Sequence, residues 1–99
     1  MKEISVQELK QKIDNNEDFQ LIDVRETFEY EMSNLDGLNI PLAGILIETD
    51  KIATDKPVVV HCAAGYRSAA GVSIIAATVN SVPVYDLGEV VTEMMKAVH

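Results

Sequence analysis

The 99-residue sequence has no tryptophan, only five aromatic side chains and a single cysteine, Cys62. One thiol excludes an intramolecular disulfide framework and fits a reducing compartment. Basic residues are scarce as well, with eight Lys and Arg against sixteen Asp and Glu and a formal net charge of -8. That balance opposes sequence-independent binding to nucleic acid phosphates and to anionic membranes. Long apolar runs are missing: the stretch from Pro57 to Tyr85 is interrupted by Arg67 and by Gly, Ser, Asn and Pro, which argues against a span of about 20 apolar residues. The start, Met1-Lys2-Glu3-Ile4-Ser5, lacks the apolar core of a secretory signal, so the cytoplasm is the expected location. No repeat, low-complexity tract or Pro/Gly/Ser linker appears, and one domain over residues 1–99 is expected.

What is present is 47% hydrophobic residues, enough for a modest core, in segments that alternate between helix and strand signals. Ser5-Val6-Gln7-Glu8 fits a capping box, and Val6, Leu9 and Ile13 give helical spacing, which predicts a helix over Val6 to Asn15. Phe19 to Val24 reads as a buried strand and Glu26 to Met32 as a short helix. Leu38 to Ile40 reads as a strand, followed by a weak helix through Ala43 to Glu48. Pro57-Val58-Val59-Val60-His61 is the clearest strand, because three β-branched residues follow a proline that can open a central strand but not continue it. Ser68 to Val79 reads as a helix with Ser68 at its N-cap, Val82 to Tyr85 as a last strand and Glu89 to Val98 as a closing helix. This alternation predicts an α/β fold, a parallel sheet of about five strands with helices on both faces. Functional crevices of such sheets lie at the carboxyl ends of the strands, where Asp23 and Cys62 both fall.

The chemistry concentrates around Cys62. Thirteen of the sixteen acids precede Pro57, so from Pro57 to Tyr85 the only formal charge is Arg67. Ala63, Ala64 and Gly65 are small enough for the backbone to curl around the sulfur with its N–H groups inward, and the following helix adds its positive end. In such surroundings thiol pKa values fall from about 8.5 to roughly 3.5–7.5, so an ionised, nucleophilic sulfur is expected. Arg67 carries a planar fork of donors suited to oxyanions. His61 is adjacent in sequence, but strand alternation aims it at the opposite face, so no catalytic role is assigned to it. Met94 and Met95 fit core packing and no metal or cofactor motif is read.

The loop His61-Cys62-Ala63-Ala64-Gly65-Tyr66-Arg67-Ser68 resembles the active loop of rhodanese-like sulfurtransferases, and Leu21-Ile22-Asp23-Val24-Arg25-Glu26 with Glu29 and Tyr30 resembles the family's Asp-Val-Arg block. Leu38-Asn39-Ile40-Pro41-Leu42 is similar to the segment that follows that block. The resemblance implies a rhodanese-like three-layer sandwich and a reaction through a Cys62 persulfide. Its donor would be thiosulfate, polysulfide or a protein persulfide, its acceptor a thiol or a cyanide-type nucleophile, and no cofactor is implied. Ala63, Ala64, Gly65, Tyr66, Arg67 and Ser68 would form the substrate-binding loop, with Asp23 and Arg25 as supporting scaffold. Neutral Ala63 stands where many members carry Arg, which should weaken thiosulfate binding. The family's Gly-His-Ile start is missing from Ser33–Leu38, and Gly88-Glu89 replaces its frequent Gly-Gly pair.

Two other functions remain open on sequence grounds. A cysteine phosphatase or arsenate reductase shares the Cys, the anion nest and the Arg, although four residues between Cys62 and Arg67 make a tight cradle for a tetrahedral oxyanion. A non-catalytic binding module on the same scaffold is the second. The uncharged helix Ser68 to Val79 is also a candidate surface for self-association, because a helix outside a sheet normally carries charge on its free face.

Overall fold

A computed structural model of the chain describes residues 2–63, 66–89, 91, 94 and 95, without the side chain of Tyr66. Five strands, β1 (Lys2–Glu3), β2 (Gln20–Asp23), β3 (Leu38–Asn39), β4 (Val58–His61) and β5 (Val84–Leu87), pair in the order β1-β5-β4-β2-β3. Every pairing is parallel. Helices α1 (Val6–Asp14), α2 (Thr27–Met32) and α3 (Tyr66–Thr78) lie between them. The expected α/β architecture is thus the observed one.

Alternation along β4 divides the core into two layers. Val58, Val60 and Cys62 pack with Ile22, Val24 and the α3-side residues Val72, Ile75 and Val79. Val59 packs on the other face with Leu9 of α1, Leu87, Val91 and Met95. Parallel strands buried on both faces read as continuous apolar runs, which is why the three valines of β4 were so legible. Gly71 lets α3 settle close over the middle of the sheet: an added Cβ would stand 3.3 Å from Val24 Cγ1 and 3.4 Å from Val60 Cγ1.

Several boundaries differ from the sequence reading. The capping box of α1 is present, with Ser5 Oγ accepting from Glu8 N–H and Glu8 Oε1 accepting from Ser5 N–H, both at 3.0 Å. The region from Ala43 to Glu48 does not form a continuous helix; two 3-10 turns, Leu42–Gly44 and Thr49–Lys51, take its place. Gly44 is a poor helix former, and Ile45 and Ile47 are β-branched, so a longer helix has little local support. The last strand is Val84–Leu87 and not Val82 to Tyr85. Pro83 has no N–H to give to a central ladder and only its carbonyl takes part, accepting from Val58 N–H at 3.0 Å. The strand then runs on through Asp86, because β1 pairs beside it there. Most of the expected helix Glu89 to Val98 lies outside the described residues, although Met94 and Met95 are helical.

Helix α3 gives no support to the expectation of self-association. Its buried positions are Ser68, Gly71, Val72 and Ile75, while Ala70, Ser73, Ala76, Ala77 and Thr78 face outward. The missing charges leave a face of small side chains and not a large apolar patch, so little apolar area is available for a second copy to cover. None of the helices among the described residues is long and apolar enough to cross a membrane.

One polar layer is built into the fold at the ends of β2 and β4. Arg25 Nε and Nη2 donate to Asp23 Oδ1 and Oδ2 at 2.8–3.1 Å, and Arg25 Nη2 also donates to the Ser33 carbonyl at 2.8 Å. Asn39 Nδ2 donates to the carbonyls of Asp23 and Arg25, each at 3.0 Å, tying β3 to the same corner. His61 is fully buried in register with Asp23, its Nε2 3.8 Å from Asp23 Oδ2. Burial pushes its pKa down, and the opposing Asp23 charge only partly offsets this. The unfolded chain therefore takes up a proton that the folded chain resists. Stability should hold above about pH 6.5 and fall as pH drops below it, by at most ~1.4 kcal/mol per unit. Urea unfolding across this range should show that slope in the natural sequence and a shallower one in His61→Gln; parallel profiles would overturn the assignment.

Candidate functional site

Cys62 is the first residue past β4, at the carboxyl end of the central strand pair, and its side chain continues the β4 alternation into the α3 layer. Helix α3 begins four residues later, and Ser68 in its first turn donates its backbone N–H to Cys62 Sγ at 3.3 Å. The first N–H groups of a helix have no partner within it. Here a sulfur satisfies one of them. The helix starts two residues earlier than expected, so Ser68 is not the N-cap. It instead supplies the sulfur with a donor from a helix N-terminus, where partial positive charge accumulates.

His61 lies on the Asp23 face, away from the sulfur, as alternation predicts. Asp23 and Arg25 are brought to the same end of the sheet as Cys62, and both are buried in the ion pair described above. A charge pair desolvated this thoroughly is held by its hydrogen bonds. Ala63 is half-buried. Ala64, Gly65 and the Tyr66 side chain lie outside the described residues.

Arg67 has surroundings that the sequence reading did not foresee. Glu29, in the first turn of α2, takes its guanidinium in a fork: Arg67 Nη1 donates to Oε2 at 2.7 Å and Nη2 to Oε1 at 3.1 Å. Glu26 N–H also donates to Glu29 Oε2 at 2.8 Å, which fixes the carboxylate from its own helix. The Arg67 hydrogen bonds are the main cause that holds the Glu29 pKa below the usual carboxylate range, so the carboxylate stays ionised near neutral pH. The expectation that one cation sets the field of this region is therefore corrected. The partner arrives from 38 positions upstream, where no local pattern could announce it.

Helix α3 thus opens with a buried sulfur against the Ser68 N–H and an arginine already engaged by a carboxylate. The chain is similar to proteins named for sulfur handling. Over 67 residues, the chain is 34% identical to the putative sulfur carrier protein YrkF of Bacillus subtilis, covering 67% of this chain and 36% of that protein. It is also 34% identical over 67 residues to a sulfurtransferase of Allochromatium vinosum, covering 67% of this chain and 63% of the relative. The chain thus spans less than two thirds of the length of either relative. Among solved structures, a rhodanese-like domain protein from Staphylococcus aureus superposes with a TM-score of 0.82 at 27% identity, covering 92% of this chain and 88% of that one. The family profile described as the rhodanese-like domain matches residues 5–90, from the α1 cap to just past the end of β5, and on that match the chain belongs to the rhodanese-like domain family.

Proposed function

We propose that this chain is a sulfurtransferase that works through a persulfide on Cys62. The observation that carries the reading is the Ser68 N–H directed at Cys62 Sγ from the first turn of α3. A hydrogen-bond donor and a helix N-terminus stabilise a thiolate, and the thiolate is the reactive form. It attacks the outer sulfur of a donor, the donor's bond to that sulfur breaks, and Cys62 becomes Cys62–S–S⁻. With thiosulfate the departing group is sulfite. A nucleophilic acceptor then takes the outer sulfur and Cys62 leaves as thiolate, so no net electrons are gained or lost at the protein. In this reading Ala63, Ala64, Gly65, Tyr66, Arg67 and Ser68 would bind the substrate, with Asp23 and Arg25 as supporting scaffold. The names of the sulfur carrier and sulfurtransferase relatives support transfer of sulfur as the general activity. Catalysis in the cytoplasm as one domain fits the single reduced thiol.

Complete burial of Cys62 favours a second reading, a binding module whose cysteine is only packing. Mass spectrometry after incubation with thiosulfate, and separately with polysulfide, separates the two. The expected result is one added sulfur on Cys62, removed by cyanide as thiocyanate and absent in Cys62→Ser. No adduct from either donor would leave the packing reading standing. Hydrolysis of an aryl phosphate without persulfide formation would point to a phosphatase instead.

The Arg67–Glu29 fork sharpens the choice of donor. A doubly charged donor must compete with Glu29 for the guanidinium, whereas polysulfide and protein persulfides need not. In Glu29→Gln the KM for thiosulfate should fall about five-fold, the effect of ~1 kcal/mol from a partly exposed ion pair. The polysulfide reaction should change much less. A thiosulfate KM that stays the same or rises would show that Glu29 does not oppose the anion.

A further inference from the structure

On the opposite side of β4 from the Asp23 layer's neighbour β2, the C-terminal ends of β1 and β5 frame a pocket of about 480 Å3 lined by Glu3, Ser5, Glu8, Asp86, Gly88 and Glu89 together with Ile4. Four of these side chains are acidic, and none of the described lining residues is basic. Two of the carboxylates have structural work: Glu8 Oε1 accepts from Ser5 N–H at 3.0 Å and Glu89 Oε1 from Val6 N–H at 2.8 Å. Asp86 is different. It is 6% exposed, and its buried Oδ1 has no hydrogen-bond partner among the described residues. A buried carboxylate oxygen left unsatisfied is costly unless a donor or a cation reaches it. The described metal-binding possibilities are limited, since no group of three or more acidic, His or Cys side chains among the described residues is arranged to hold a metal ion. Spread carboxylates around an open pocket suit a larger cation whose several N–H donors can reach different oxygens.

The position of Asp86 ties this pocket to the sulfur. Asp86 is in register with Val60 on one side and with Glu3 on the other. Val60 and Cys62 belong to the same core layer, as does Val84, two residues before Asp86. Alternation therefore places Asp86 on the Cys62 face of the sheet, one strand over and about 8 Å away, from a strand spacing of ~4.8 Å and a rise of ~3.3 Å per residue. We propose that the Asp86 pocket binds the ammonium group of a small aminothiol, the acceptor of the Cys62 sulfur. This rests on the persulfide reading above and names the class of its acceptor. The acceptor enters as thiolate with its ammonium at Asp86 and attacks the outer sulfur of Cys62–S–S⁻. A new S–S bond forms on the acceptor, the Cys62 S–S bond breaks, and Cys62 leaves as thiolate. The sulfane sulfur changes owner without any oxidant or reductant, and the acceptor departs as its own persulfide. The same carboxylates repel anionic acceptors, so discrimination is by charge.

The test has a binding arm that needs no sulfur transfer and a kinetic arm that does. For binding, S-methylcysteamine, an ammonium probe with no free thiol, is titrated into Cys62→Ser protein by calorimetry. Saturable binding is expected, weakened at least ten-fold by adding Asp86→Asn and about three-fold by adding the exposed Glu3→Gln. The second substitution keeps the test decisive if Asp86→Asn impairs folding, which circular dichroism reports. Equal binding in the presence and absence of these carboxylates, or no binding, overturns the pocket. For kinetics, protein preloaded with polysulfide sulfur is offered cysteamine, 2-mercaptoethanol or mercaptoacetate, with rates corrected for the ionisation of each thiol. The expected order is cationic over neutral over anionic, collapsing in Asp86→Asn. A flat series with intact loading overturns the proposal and leaves the sulfurtransferase reading in place. Failure to load Cys62 at all removes that reading and with it the aminothiol as acceptor, whereas the binding arm still decides whether the pocket takes an ammonium group.

Discussion

Strands β2 and β4 run side by side through four paired positions, from Gln20 against Val58 to Asp23 against His61. That parallel register brings two distant segments of the chain to a common end. One delivers the Asp-Val-Arg corner, the other delivers Cys62, and the offset between them is set by backbone hydrogen bonds and not by either loop. A slip of β2 by one residue would turn Asp23 into the α3 layer and expel Ile22 from it, because side chains alternate between faces. The buried Asp23–Arg25 pair makes such a slip costlier still, since Asp23 would lose its partner in a medium where an unpaired carboxylate is expensive.

Much of this arrangement was legible in the sequence because it is written in local patterns. The valines of β4, the capping box at Ser5 and the small residues after Cys62 each carry a physical meaning within a few positions. The two motifs that suggested the family lie on the two strands whose pairing the fold makes central. What was not legible depends on residues that meet only in three dimensions. Lys2 and Glu3 form an edge strand with no hydrophobic signal at all, and their exposed charges suit an edge that should not recruit another chain. The continuation of β5 through Asp86 was hidden by the acid itself, which reads as the end of an apolar run. Glu29 was noted only as part of a block, yet it faces Arg67 across the boundary between two helices.

Charge in this chain therefore has a geography that its net value conceals. The acids are not simply a solvated coat. One anchors a buried strand corner, one grips the single arginine of the sulfur loop, and a group of four borders the neighbouring strand ends.

The contact between Ser68 N–H and Cys62 Sγ makes one atom serve as both the proposed reactive centre and the stopper of a helix. Chemistry at that atom is then mechanically audible along α3. A sulfur that gains a neighbour, loses its charge or is exchanged for a shorter hydroxyl changes the acceptor on which the first turn closes, in a helix packed close over Val24 and Val60 at Gly71. The helix is in this sense a gauge attached to the thiol. Its opening residues and its covalent cargo have to be considered as one object whenever either is altered.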